Sequence, residues 1–426
     1  MKVFGTTHAF HDIADTDGTH VSTENFTDIK YDPDTTFVTF GAGVIYTKLI
    51  EALVKEGRAI TNMPSLPHLN VVGTVVTGTH GSGLAYQSIA TYVRGVAYVD
   101  SKGNHQRLNY PDPDLDSFLH SFGTLGIIYE MTMATEPEYG IKKCIYKDVP
   151  FDFLKDPELF DRVNREKDYI SFFSDLKHER FNSVWTGDRY YASEGKSYEE
   201  MGQIDYKDLC DADFHGGELI YNTNPAPEFS SDNCVGSGFG MWSEKIYHFK
   251  PDQPPACDGE EIGSEFYVRY SDLPAAVMDI YNVSKTDMFK DLIYFIELRA
   301  VAEDGRVNLS PARYEDVFGI HFHYRHDFER TYQGVQAIQD VLAKYDYSVH
   351  YGKFFHARPE IFNRFQSDIK RLQRELNSKP SNVVFGNCWA ARVIFGADSC
   401  PNNSHYENFA DIMDQRIADQ KKQDEL

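Results

Sequence analysis

The stretch from Asn62 to Gly83 limits what this chain can fold into more than any other. Gly73, Gly78, Gly81 and Gly83 let the backbone approach a ligand closely and adopt positive φ, while Thr77, Thr79 and Ser82 add hydroxyl donors. Consecutive backbone N–H groups in such a loop form an anion-binding nest, the kind of place a pyrophosphate sits. The stretch is neither a Walker loop nor the GxGxxG nicotinamide fingerprint, because no Lys-Ser/Thr follows and no strand immediately precedes it. On glycine content alone an ordinary surface loop is the better reading, so the rest of the chain has to decide.

Around this stretch the sequence reads as α+β. Phe37 to Phe40 alternates like a strand, Gly41-Ala42-Gly43 marks a turn, and Tyr46 to Val54 has the apolar spacing of an amphipathic helix. Further strands are predicted at Val93 to Val99 and Gly126 to Thr135, with the loop-like segment from Asn62 to Gly83 between. From about residue 140 the texture changes to alternating runs, such as Ser264 to Tyr270 and Leu292 to Val301, separated by helical segments near 273–283 and 328–344. The Gly-, Pro-, Asp- and Ser-rich span 185–262 predicts extended loops over that sheet.

At 426 residues the chain exceeds one ordinary core, so two packed domains are expected. No run approaches the roughly 18 consecutive apolar residues of a membrane-spanning helix. A net charge of -23 opposes nucleic-acid phosphates and anionic lipid, which removes both from the expected partners. The six cysteines show no CxxC pair and no Cys/His spacing for zinc, so no metal site is expected. The start at Met1 lacks the features of a signal peptide, which points to the cytoplasm. The terminus Gln423 to Leu426 approximates an ER-retention address, which points to the ER lumen if a targeting segment precedes Met1. Sequons at Asn25, Asn282, Asn308 and Asn402 permit glycosylation there.

The order of motifs along the chain resembles the vanillyl-alcohol-oxidase, PCMH-type family of FAD proteins, and within it the alditol (xylitol) oxidases and their aldonolactone-oxidase relatives. Gly5-Thr6-Thr7-His8 through Ala14 is similar to the family's first FAD loop, whose histidine is joined to the isoalloxazine 8α-methyl; His8 matches that position. Ser121 to Ile128 resembles the strand entry beside the cofactor. The similarity continues through Asp232 to Phe249, Glu297-Leu298-Arg299, Leu309-Ser310-Pro311, His321 to Tyr324, His350 to Lys353 and Phe385-Gly386-Asn387. It implies a two-part FAD-binding domain over 1–137, a substrate or cap domain with a helix-covered antiparallel sheet over 138–396, and a polar acidic tail over 397–426. It also implies FAD contacts from Gly5, Thr6 and Thr7, from Ser65, Asn70 and Gly73, from Thr77, Gly78, Thr79 and His80, and from Ile128 and His350.

For the substrate the resemblance implies Ser65, Glu297, Arg299, His323 and Lys353, with Glu297, Arg299 and Lys353 catalytic. The residue types agree. Glu297 and Arg299 lie two apart on a strand and project from one face, where an acid and a guanidinium can grip hydroxyl groups, although for the pair in isolation a structural salt bridge is the better reading. Lys353 sits among apolar neighbours that lower an ammonium pKa toward base function. The implied reaction oxidises a C–OH carbon of an alditol by hydride transfer to flavin, with oxygen as acceptor and hydrogen peroxide as product. Alternatives are an aldonolactone oxidase or dehydrogenase, and a non-catalytic relative.

Three departures from the family stand out. Its members carry a first strand and helix before the covalent histidine, so the N-terminal part is expected to be truncated or pared down here. His323 replaces an alditol-oxidase threonine, and its titratable ring is expected to alter the pocket. Pro64 replaces a small residue near the flavin face, which bears on oxidase against dehydrogenase behaviour.

Overall fold

Period-two alternation builds two principal sheets. The first, in a computed structural model that describes residues 1–253, 257, 260–378 and 384–396, runs in the order Ile29–Asp32, Phe37–Gly41, Ile127–Ala134, Val93–Val99, His105–Asn109, all antiparallel. Val38 and Phe40 are fully buried on one face. The helix Tyr46–Lys55 places Tyr46, Leu49, Ile50 and Leu53 in the same core, the i, i+3, i+4, i+7 spacing of an apolar stripe. Each such aliphatic side chain contributes about 1.5–3 kcal/mol by leaving water. Gly57, at φ +61°, then turns the chain away from the helix axis.

The second sheet has ten strands. Its central run is Arg180–Tyr190, Tyr169–Ser174, Ile293–Val301, Val317–Arg325 and Glu261–Arg269, each antiparallel to the next. All nine residues of Ile293–Val301 are buried, so both faces of this strand are covered. Ile296, Leu298 and Ala300 belong to the main core, whereas Phe295, Glu297 and Arg299 face the opposite way. The helices Leu273–Val283 and Phe328–Leu342 cover the sheet and pack on each other, burying Val277 and Ile280 from the first and Val335 and Ile338 from the second. The five-stranded sheet ends at Ala134 and the larger one begins at Gly140, and we infer the division between the two parts at 137.

Two regions differ from the sequence reading. The segment Asn62 to Gly83 is not loop throughout: Val71–Val76 is helical, because Asn70 caps it by accepting the Gly73 N–H at 2.7 Å on its side-chain oxygen. The second region, 185–262, carries the expected extended loops, the longest over 221–237, but not loops alone. It holds the end of a long strand, the helices Tyr198–Gly202, Tyr206–Leu209 and Trp242–Lys245, and three short strands, with Cys210 tied to Cys144 of the sheet by a disulfide. The sequence shows no spacing for that pair because the partners lie 66 residues apart. Asn308 is buried and donates to Ser117 at 2.7 Å, which removes it as a glycan acceptor in the folded chain. The tail 397–426, with Asn402 and the Gln423 to Leu426 terminus, lies outside the described residues. Among the described residues no helix is long and apolar enough to cross a membrane.

Candidate active site

The two halves meet through glycine. Gly83, at φ +110°, donates its N–H to the Ala300 carbonyl at 2.9 Å, and a Cβ there would lie 1.9 Å from the Asp168 carbonyl oxygen, so only glycine fits. On the other side the Phe10 N–H donates to the Gly352 carbonyl at 2.9 Å. Between these contacts lies a cavity of about 890 Å³, at the upper end of the roughly 300–1,000 Å³ typical of ligand pockets.

One wall is rich in glycine and hydroxyls. Gly5, Thr6, Thr7 and His8, then Ser65, Asn70, Gly73, Thr77 and Thr79, and then Ile128 and His350 all reach it. Thr7 holds φ +54°, an uncommon conformation for a β-branched residue that clusters at functional loops. The Thr6 hydroxyl accepts the Asn70 N–H at 3.1 Å, tying the first loop to the helix cap. His350 Nδ1 accepts the Gly352 N–H at 3.0 Å, so its Nε2 carries the hydrogen directed at the Thr79 hydroxyl, 3.2 Å away. Burial lowers His350 well below the usual imidazole range and keeps it neutral.

His8 faces the cavity, its ring centroid 4.7 Å from that of His68. Its ring is exposed to the cavity, and desolvation by the surrounding walls, with His68 and Lys353 beside it, lowers its pKa. Gly78 and His80, expected among the cofactor contacts, do not reach the wall. His80 is held behind it, with Nε2 2.9 Å from Glu265 Oε1 and Nδ1 2.6 Å from the Gly81 carbonyl, and the Gly78 backbone turns away toward Tyr351 and Pro311.

The opposite wall is the face of the large sheet, where strand register sets the chemistry. Glu297, His321 and Glu265 are direct neighbours across three strands, and Phe295, His323 and Gly263 form the adjacent row. Arg299 lies over both acids, with Nη2 3.3 Å from Glu265 Oε1 and Nε 3.5 Å from Glu297 Oε2, while its Nη1 donates to Ser65 Oγ at 3.3 Å. Burial works against ionisation of these acids. The Arg299 guanidinium overrides it and holds Glu297 well below the usual carboxylate range; His80 and Arg299 do the same for Glu265. His248 Nδ1 lies 3.2 Å from Glu297 Oε1. Glu265 Oε2 is buried and has no hydrogen-bond partner among the described residues.

Lys353 completes this wall. Gly263 has no side chain, and a Cβ there would meet Phe10, His321 and the Lys353 stem at 3.0–3.4 Å. Through that gap Lys353 Nζ comes to 2.9 Å from His321 Nε2. Burial lowers its pKa from the usual ammonium value, and the nearby acids Glu265 and Glu261 only partly restore it.

Glu297, His321 and His323 each present a ligand atom within 4.8 Å of the others, close enough for a metal ion. Their partners point elsewhere: the acid is matched to Arg299 and His248, the two rings to each other, Lys353 and Glu261. The cluster is a hydrogen-bonded polar wall next to two basic side chains, which disfavours a dication.

Sequence reasoning missed Glu261, Glu265, His248 and His68. The first two carried a signal: Glu261, Gly263, Glu265 and Tyr267 share one face of an otherwise apolar strand, and buried acids require partners. The positions of His248 and His68 depend on loop paths that periodicity does not encode.

The fit to FAD rests on this geometry. A long cavity has close-approach backbone and hydroxyls on one side and unsatisfied acid on the other, with a neutral imidazole exposed to it. Comparison with known proteins agrees: residues 1–109 match the family described as FAD binding domain. Alditol oxidase of a Streptomyces species is 27% identical over 380 residues, covering 87% of this chain and 85% of that protein. L-gulonolactone oxidase of Mus musculus is 29% identical over 146 residues, 33% of each chain. Cholesterol oxidase from B. sterolicum shares the fold, with a TM-score of 0.71 at 14% identity over 92% of this chain and 89% of that one.

Proposed function

Given that the chain carries the FAD-binding domain of a flavin-dependent oxidoreductase family, we propose that it oxidises a C–OH group of an alditol, with oxygen as the final acceptor. The observation that carries this reading is the convergence of Ser65, Glu297, Arg299 and Lys353 on one cavity, with Arg299 reaching across it to Ser65. Bound FAD supplies the hydride acceptor. Gly5, Thr6, Thr7, Gly73, Thr77 and Thr79 would hold it through backbone and hydroxyl groups, and His8 would tether it covalently.

The remaining groups act on the substrate. Arg299, fixed between two acids, donates to substrate hydroxyl oxygens without reorganising, while Glu297 accepts from substrate hydroxyls. Several such anchors orient the reacting carbon. Lys353, favoured as a neutral amine by its burial, takes the proton of the reacting hydroxyl. An apolar pocket without such groups would not select a polyol.

The test is anaerobic mixing with xylitol or sorbitol, followed by oxygen. Bleaching of the flavin absorbance by the polyol, then peroxide on aeration, is expected. The partial similarity to L-gulonolactone oxidase makes aldonolactones the control. Bleaching by a lactone and by no polyol would move the assignment to that class. Reoxidation by an artificial acceptor but not by oxygen would make it a dehydrogenase.

A further inference from the structure

We propose that Lys353, His321, His323 and Glu261 form a directional hydrogen-bond chain that draws the substrate's hydroxyl proton off Lys353 and holds it on His323. The inference rests on the reading of Lys353 as the base and adds three positioning residues behind it.

The contacts run in one line. Lys353 Nζ lies 2.9 Å from His321 Nε2, His321 Nδ1 lies 3.1 Å from His323 Nε2, and His323 Nδ1 lies 2.8 Å from Glu261 Oε2. An assignment of hydrogens that satisfies them all can be built from Glu261. Glu261, pulled down to about 2 by His323 despite its burial, is a carboxylate and can only accept, so His323 Nδ1 donates. In the resting arrangement of the proposed chain His323 Nε2 accepts from His321 Nδ1–H, which leaves His321 Nε2 to accept from Lys353. The alternative partner for His321 Nδ1, Glu297 Oε2, is 3.7 Å away and beyond hydrogen-bond distance. His321 is neutral at rest, since burial together with His323 and Lys353 pushes its pKa down to about 3.

The proton balance closes. The substrate O–H bond breaks and its proton bonds to the free lone pair of neutral Lys353; the oxygen pair becomes the C=O bond as the C–H hydride leaves to the flavin. The ammonium gives a proton to His321 Nε2, and His321 gives its Nδ1 proton to His323 Nε2. His321 ends neutral with its tautomer reversed, Lys353 is an amine again, and His323 is an imidazolium paired with the Glu261 carboxylate. The stacked Phe295 ring, centroid 4.0 Å away, keeps the His323 ring in line.

The charges around the chain favour this end state. Glu261, Glu265 and Glu297 face it from two strands, Arg299 is the one fixed cation among these neighbours, and His8, His350 and Cys257 adjoin it. A proton arriving in that surplus of negative charge is stabilised. Lys353 and His321 are in direct contact and their titrations are coupled, so the acid limb of the kcat/KM profile belongs to the pair and not to either residue.

The experiment compares wild type, Glu261→Gln and His323→Gln as flavin-loaded enzymes, by kcat/KM against pH for a polyol and by NMR of ring-labelled histidine. Glu261→Gln keeps the acceptor but removes the charge. We expect the acid limb to move to lower pH by about one unit, since the surplus proton is held less tightly, and the histidine titration to move with it. His323→Gln should lower kcat roughly tenfold with little change in KM, because the proton stays on Lys353. An enzyme that turns over polyols but keeps the wild-type acid limb in Glu261→Gln overturns the relay and leaves the proposed function intact. A wild type that no polyol reduces overturns the proposed function itself.

Discussion

Phe10 donates its backbone N–H to the Gly352 carbonyl at 2.9 Å, so one hydrogen bond ties the loop that carries His8 to the segment that carries Lys353. His8 precedes this contact by two residues and Lys353 follows it by one. The group proposed to hold the cofactor and the group proposed to take the substrate's proton are thereby set in one frame, although 345 positions separate them in sequence. The Lys353 amine also lies over the Phe10 ring, 5.2 Å from its centroid, a second contact across the same junction.

His8→Ala should abolish covalent attachment and spare folding, because the His8 ring packs on His68 at the cavity and not within the core. Acid precipitation of the purified protein reads this directly: flavin colour in the wild-type pellet and a colourless variant pellet are expected. Colour retained in the variant pellet would assign the bond to another residue.

Lys353→Met keeps the length and apolar stem of the side chain and removes the amine. The expected loss in kcat is on the order of 10²–10⁴-fold, the usual worth of a positioned base, with flavin content unchanged. Stopped-flow bleaching under anaerobic conditions measures the step. A variant reduced at the wild-type rate would remove Lys353 from the chemistry.

Much of the scaffold was legible in the sequence, and the reason is periodicity. The strand Val93–Val99 and the helices Tyr46–Lys55 and Leu273–Val283 announce themselves by spacing alone. The helix Val71–Val76 does not, since a β-branched run broken by Gly73 reads as loop or strand until the Asn70 cap is seen. The site was legible where a residue projects from a strand in known phase, as Glu297 and Arg299 do. It was not legible where strand register decides, as for Glu265 opposite His321, because pairing between strands distant in sequence is fixed by the folded core.

Gly83→Ala should destabilise the junction between the halves. The backbone at φ +110° is strained for alanine, and the added Cβ would stand 1.9 Å from a carbonyl oxygen that belongs to backbone and cannot swing away. A loss of more than about 1 kcal/mol is expected, read from the urea midpoint at unchanged slope. An unchanged midpoint would mean that the Gly83 to Ala300 contact is dispensable.

Acid should weaken the fold, through His321 among other groups. Burial first, and then His323 and Lys353, lower its folded pKa from the usual 6.5 to about 3. At a pH between these two values the unfolded chain takes up a proton that the folded chain refuses. Stability therefore rises with pH across that window, and the His321 contribution is complete above about pH 6.5. It is lost progressively as the pH falls toward 3. Glu261, lowered to about 2, acts in the same sense over the more acidic range between its usual carboxylate value and 2. Thermal melting from pH 7.5 to 4 should show the midpoint falling as the solution is acidified, with a shallower fall in His321→Gln. Equal slopes in the two proteins would show that His321 is protonated alike in the folded and unfolded chains, and the neutral ring on which the Lys353 contact depends would have to be given up.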